Sequence, residues 1–96
     1  MDFEWDEAKA ASNVAKHEIG FDLALRLFLT PGFVEFEVSR EGDGERRWKL
    51  ITLFLGRHTT VVFTRRGERI RIISARRAND KEIKAYGDRS PQNRPA

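Results

Sequence analysis

Cysteine is absent from the 96-residue chain, which excludes a disulfide framework and a thiolate metal site. No apolar stretch approaches the roughly 20 residues of a membrane helix, and no apolar run follows a basic start at the N-terminus. The composition therefore reads as a cytoplasmic protein with no membrane role. The two histidines, His17 and His58, fall in separate elements. The acids around 35–45 lack a ligand spacing, so neither metal nor cofactor is expected. Glycines are scattered at turns and match no phosphate-cradling loop. Internal repeats and low-complexity tracts are missing as well. A chain this short forms one domain and buries only about 60–65% of its unfolded surface, so modest stability is expected.

What the chain does have is charge, unevenly placed. Residues 1–56 carry 7 Lys/Arg against 11 Asp/Glu, a net −4, while residues 57–96 carry 11 against 4, a net +7. A basic half beside an acidic half fits a polyanion-binding surface plus a second surface of other use. It fits equally well a small sheet solubilised by arginine.

The hydrophobic period changes along the chain. Residues 3–5 read as a short strand with Phe3 and Trp5 on one face. Asp6 is a good helix N-cap and Glu7 suits the positive end of the helix dipole. A helix is expected from there to about His17, with a narrow side of Ala8, Ala11, Val14 and Ala15, and Gly20 as its stop. Phe21, Ala24, Leu25 and Phe28 mark a second helix over 21–29, ended by Thr30-Pro31-Gly32. From Phe33 the period becomes two, with Val34, Phe36 and Val38 alternating with Glu35 and Glu37. After a turn at Glu41-Gly42-Asp43-Gly44, strands are expected over 46–55, 59–65 and 69–76, with Gly56 and Gly67 at the turns. On the last strand Ile70, Ile72, Ser74 and Arg76 should share one face. Asn79 or Asp80 caps a final helix over 79–86. Residues 1–87 then form the domain, and 88–96 are expected to be a disordered tail. The fold class is α+β, with helices packed on a four-stranded antiparallel meander.

Three groups of residues are able to carry chemistry. On the first helix Lys9, Asn13 and Lys16 share one face, with His17 one turn after Asn13. Two cations, an amide and an imidazole so placed suit a phosphate, although an ordinary solvated helix face has the same pattern. On the last strand Arg69, Arg71, Arg76 and Arg77 present guanidinium forks that match phosphate. Pairing of Arg69 or Arg71 with Glu35 or Glu37 across strands is the competing reading. Glu45-Arg46-Arg47 follows the turn; Glu45 reads as a rim ion pair, and Arg46 stays open. Among the aromatics, Trp5, Trp48, Phe54 and Phe63 are better explained as core, whereas Tyr86 reads as exposed and available to stack on a base.

Three further blocks stand out: FEWDEAKAASNVAKH at 3–17 with Ile19, Phe21 and Ala24, then Glu45-Arg46, then VVFTRRGERIRIISARRAND at 61–80 with Glu82 and Tyr86. Together they resemble the BrnT family of toxins from bacterial type II toxin–antitoxin pairs. The pairing of the F-x-W-D-x-x-K-x-x-x-N-x-x-K-H opening with the R-I-I-S-A-R-R-A ending is the specific part. The chain departs at Phe63, where many members carry histidine, so no imidazole role transfers to that strand. The resemblance implies a RelE-like fold and a ribonuclease that blocks translation. It further implies a neutralising antitoxin of the ribbon-helix-helix type, through which alone the toxin reaches operator DNA. A metal-independent endoribonuclease would use the RNA's own 2′-hydroxyl as nucleophile. Arg76 and Arg77 would stabilise the phosphate, and Lys16 and His17 would orient substrate and move protons. Lys9, Asn13, Arg46, Arg71 and Tyr86 would be supporting RNA contacts, made on free RNA or on the ribosome. A non-catalytic RNA- or ribosome-binding module, or a degenerate toxin acting as antitoxin co-repressor, remain alternatives.

Overall fold

A computed structural model of the chain describes residues 2–42 and 44–89. Strand β1 (Asp2–Glu4) leads into helix α1 (Glu7–His17) and helix α2 (Phe21–Phe28). Four strands follow, β2 (Val34–Glu37), β3 (Arg47–Phe54), β4 (Arg57–Arg66) and β5 (Arg69–Arg77), and then helix α3 (Asp80–Arg89). Asp6 caps α1 as the sequence suggests, its carboxylate accepting the Lys9 N–H at 3.0 Å. The chain leaves α1 through Glu18 in the left-handed region, φ 60°. Helix α3 runs two residues past the boundary expected at 87, and the rest of the expected tail lies outside the described residues, as does Asp43 of the expected turn.

The sheet has five strands in the order β1-β5-β4-β3-β2. Strands β2 to β5 form the expected antiparallel meander. The expectation of a four-stranded antiparallel sheet leaves out the short N-terminal strand, which joins the sheet as β1, parallel to β5 with Phe3 opposite Ile70 and Glu4 opposite Arg71, making it mixed. Side chains explain the pairing. Phe3 meets Phe28 edge-on at 5.3 Å on one face, and Glu4 accepts from Arg71 at 2.6 Å on the other. Three residues carry no periodicity of their own that names a partner 67 positions away.

A second correction concerns β5. Phe63 pairs with Ile72, but the next β4 residue back, Val62, pairs with Ser74. Ile73 is therefore an extra residue, a bulge that reverses the strand's faces beyond it. Ile70 and Ile72 face α1 and α2. Past the bulge Ala75 takes that side, and Ser74 and Arg76 turn to the face under α3 instead of continuing the Ile70 row.

The two faces differ in kind. Beneath α1 and α2, Phe63, Leu50, Val61, Ile72, Leu27 and Phe21 form one buried apolar cluster. Phe63 is its hub, edge-on to Phe28 at 4.8 Å and stacked on Trp48 at 6.2 Å. Under α3 the apolar part shrinks to Val34, Ile51 and Tyr86. The remainder of that face is polar.

Candidate functional site

Asn13 fixes where α1 lies. Strand β1 covers the β5 edge only as far as Arg71, and beyond it a side chain takes over the pairing. The Asn13 carboxamide donates to the Ala75 carbonyl at 2.8 Å and accepts the Ala75 N–H at 3.1 Å, imitating one rung of a sheet. Its Nδ2 also donates to the Ile19 carbonyl at 2.9 Å, closing the turn after α1. All of this is buried, so Asn13 is not a surface group for RNA, contrary to its assignment from the helical face. An amide in this place satisfies backbone groups that would otherwise be stranded at a covered edge.

That clamp delivers the end of α1 to the end of β5. Lys16, His17, Glu18, Arg57, Arg76 and Arg77 line one cleft of about 410 Å³. The four residues singled out as catalytic thus come together, although they derive from two elements some 60 positions apart in sequence. Lys9, Ser12, Asn13, Lys16 and His17 of α1 border, with Ile73 and Ser74, an adjoining groove of about 200 Å³, which places Lys9 along the same surface. Among the described residues no ion pair engages Lys16, Arg57 or Arg77. Arg57 was not anticipated, because the strand was expected to start at 59. The hairpin puts Arg57 opposite Phe54 and so at the cleft.

Arg76 has a different setting. It forks onto Glu82, Nη1 to Oε1 at 2.6 Å and Nη2 to Oε2 at 2.9 Å. Glu82 is only 1% exposed. It also accepts from Lys49 Nζ at 3.1 Å, from Thr60 Oγ1 at 3.0 Å and from the Asn79 N–H at 3.0 Å, so α3 is tied to β3, β4 and β5 through one carboxylate. Burial pushes the Glu82 carboxyl up, but hydrogen bonds from Arg76, the Asn79 N–H and Lys49 outweigh it and hold the pKa at about 2. The same hydrogen bond raises Arg76 above the usual guanidinium value. Neither Glu82 nor Lys49 was singled out from charge or spacing, since an acid in a helix first turn is ordinary.

Arg76 also walls a second cleft, about 360 Å³, on the exposed part of the α3 face with Val38, Arg40, Arg47, Lys49 and Val62. Arg47 Nε is buried there without a hydrogen-bond partner among the described residues.

The remaining candidates sit elsewhere. Arg46 forks onto Glu37 at 2.7 and 2.8 Å and leans over Trp48 at 5.2 Å, remote from the cleft lining. Hydrogen bonds from Arg46 and Ser39 hold Glu37 at a pKa of about 2. Glu45 makes the rim ion pair, with Arg66. Arg71 and Arg69 pair with Glu4, and Arg65 pairs with Glu35. Arg71 is therefore already engaged at the strand pair. Tyr86, expected to be an exposed stacking surface, is 3% exposed and meets His58 edge-on at 5.4 Å. The helix places it i+4 from Glu82, on the face that packs against the sheet. Phe63 fills the core, so the position that departs from the family pattern is structural here.

Among the described residues no three of His, Cys, Asp and Glu group to hold a metal ion, and no helix is long and apolar enough to cross a membrane. Residues 5–82 match a family profile described as the ribonuclease toxin, BrnT, of a type II toxin–antitoxin system. Comparison with curated proteins gave no match.

Proposed function

The chain belongs to the BrnT family of ribonuclease toxins from type II toxin–antitoxin systems, and we propose that it arrests translation by cutting RNA in the cleft between the end of α1 and the end of β5. A type II toxin has a protein antitoxin for partner. The observation that carries the reading is the convergence of Lys16, His17, Arg57, Arg76 and Arg77 on one cleft that Glu18 also lines, with no ion pair to Lys16, Arg57 or Arg77 among the described residues. Such a cleft attracts the RNA backbone and stabilises a phosphate as it gains charge.

The proposed chemistry needs no metal. The 2′-hydroxyl loses its proton and its oxygen attacks the adjacent phosphorus. The 5′-oxygen then leaves with a proton, giving a 2′,3′-cyclic phosphate and a 5′-hydroxyl. Arg77 and Arg57 neutralise the non-bridging oxygens. Arg76, held by Glu82, presents its remaining edge at the cleft wall. His17 is the imidazole of the cleft, a group able both to accept and to donate a proton. Lys16 orients the backbone, and Lys9 extends the track to a neighbouring phosphate. In this reading the antitoxin is a ribbon-helix-helix protein, operator DNA is reached only through it, and the toxin acts in the cytoplasm on free or ribosome-bound mRNA.

A second reading, RNA binding without cleavage, draws support from the engagement of Arg76 by Glu82 through two of its donors. Purified chain incubated with RNA in excess chelator separates the two. The ribonuclease reading expects new 5′-hydroxyl ends. A 2′-deoxy nucleotide at the cut site should abolish them, and Arg76→Ala/Arg77→Ala should lower the rate by about 10²–10³-fold. Salt-sensitive binding with no new ends makes the chain a binding module, and neither activity leaves a co-repressor acting through its antitoxin.

A further inference from the structure

Five large apolar side chains are exposed among the described residues, and three of them belong to one end of the α3 face. Leu53 ends β3 on that face, opposite His58. His58 packs on Tyr86, and Ile83 stands one helical turn before Tyr86. Leu55 follows Leu53 in the β3–β4 turn.

Leu55 is unusual twice over. It is 86% exposed, and its φ is 49°, a left-handed backbone that favours glycine or asparagine. With Gly56 at φ 79° this is a two-residue hairpin turn in which both residues have positive φ, the turn that prefers Asn-Gly. Leucine there helps neither the backbone nor solubility, which points to a contact the isolated chain does not make. The same turn releases Arg57 into the cationic cleft. One end of the sheet thus carries an apolar tip and, two residues on, a cleft where Lys16, Arg57 and Arg77 make no ion pair among the described residues, beside Glu18 and the Glu82-bound Arg76. A ligand matching both is a polypeptide segment with an apolar side chain and neighbouring carboxylates. RNA has no use for paired leucines.

We propose that the protein antitoxin docks on the β3–β4 hairpin tip, seating an apolar side chain on Leu53, Leu55 and Ile83 and reaching carboxylates into the cleft of Lys16, Arg57 and Arg77. Neutralisation is then occlusion of the phosphate site. That last consequence rests on the ribonuclease reading, whereas the docking surface itself does not.

The test titrates the full chain with the protein encoded beside it in the source genome. Leu55→Asn is the informative variant, because asparagine suits the turn and removes the apolar contact, and Leu53→Thr/Leu55→Asn extends it. Leu55→Asn should weaken binding about tenfold and the double variant further. Raising salt should weaken the wild-type complex. RNA cleavage and the thermal midpoint of Leu55→Asn should not fall. Unchanged affinity in Leu55→Asn overturns the proposal, as does a wild-type chain that does not bind that protein. So does a Leu55→Asn loss of RNA binding in place of antitoxin binding. A wild-type chain that cuts no RNA but shows the expected affinity losses sinks the ribonuclease reading and leaves the docking surface standing.

Discussion

The two faces of one sheet are built for different ends. Toward α1 and α2 the strands present Phe63, Leu50, Val61 and Ile72, closed by Leu27 and Phe21 into a dry cluster. Toward α3 the neighbouring residues of the same strands present Lys49, Thr60 and Arg76, gathered by Glu82. Alternation along a strand makes this possible, since each residue on the core side has a neighbour pointing away from it. The apolar face supplies most of the stability of a small domain through area removed from water. The polar face holds a charge arrangement in place, and the buried Glu82 carboxylate is retained there because cations and hydrogen bonds satisfy it. The bulge at Ile73 joins the two, because it turns Arg76 away from the core while leaving Ala75 in it.

Substitutions on each face sharpen that contrast. The largest expected loss of stability follows Phe63→Ala, which empties the hub of the core and should cost about 3–5 kcal/mol in chemical denaturation. A loss below about 1 kcal/mol would show that the apolar face does not dominate. Glu82→Gln comes next, at about 2–3 kcal/mol, because an amide NH₂ would face the donors of Arg76 and Lys49. It carries a pH signature. The Glu82 pKa is lowered on folding from the usual carboxylate value to about 2, so its contribution is present above pH of about 4.5 and is lost as pH falls towards 2. Stability measured against pH should therefore decline less steeply across that window in Glu82→Gln than in the wild type.

Glu37 makes the smallest case. Its pKa also lies at about 2, set by Arg46 and Ser39. Yet it stands at the surface, with Arg46 68% exposed across the pair. Solvent and salt screen such a pair, so Arg46→Ala should leave the thermal midpoint unchanged. Equal pKa values with unequal consequences separate a carboxylate that organises a site from one that decorates a rim.

Local signals and long-range ones differed in how well the sequence displayed them. Period and punctuation marked α1, α2 and the meander, because capping at Asp6 and turns at Gly56 and Gly67 are local chemistry. The partner of β1 was hidden, since three residues cannot specify a register. The bulge was hidden as well, because Ile73 continues an apolar run and nothing in its neighbours marks the extra residue. Spacing brought Lys16 and His17 onto one helix, and the end of β5 brought Arg76 and Arg77. Their meeting depends on Asn13, which the helix wheel had turned outward although its amide is spent on the β5 edge. Tyr86 and Glu82 followed the same logic, as polar-looking residues on a helix whose buried side the sequence left undecided.

The most direct test of the central claim is induction of the chain in bacteria without its antitoxin, with new protein synthesis followed and RNA ends mapped. An Arg76→Ala/Arg77→Ala variant is run beside it. Rapid arrest with new 5′-hydroxyl ends, absent from the soluble variant, is the predicted result. Equal cleavage by the variant would contradict the assignment of the α1–β5 cleft, and arrest without new ends would contradict the ribonuclease mechanism itself.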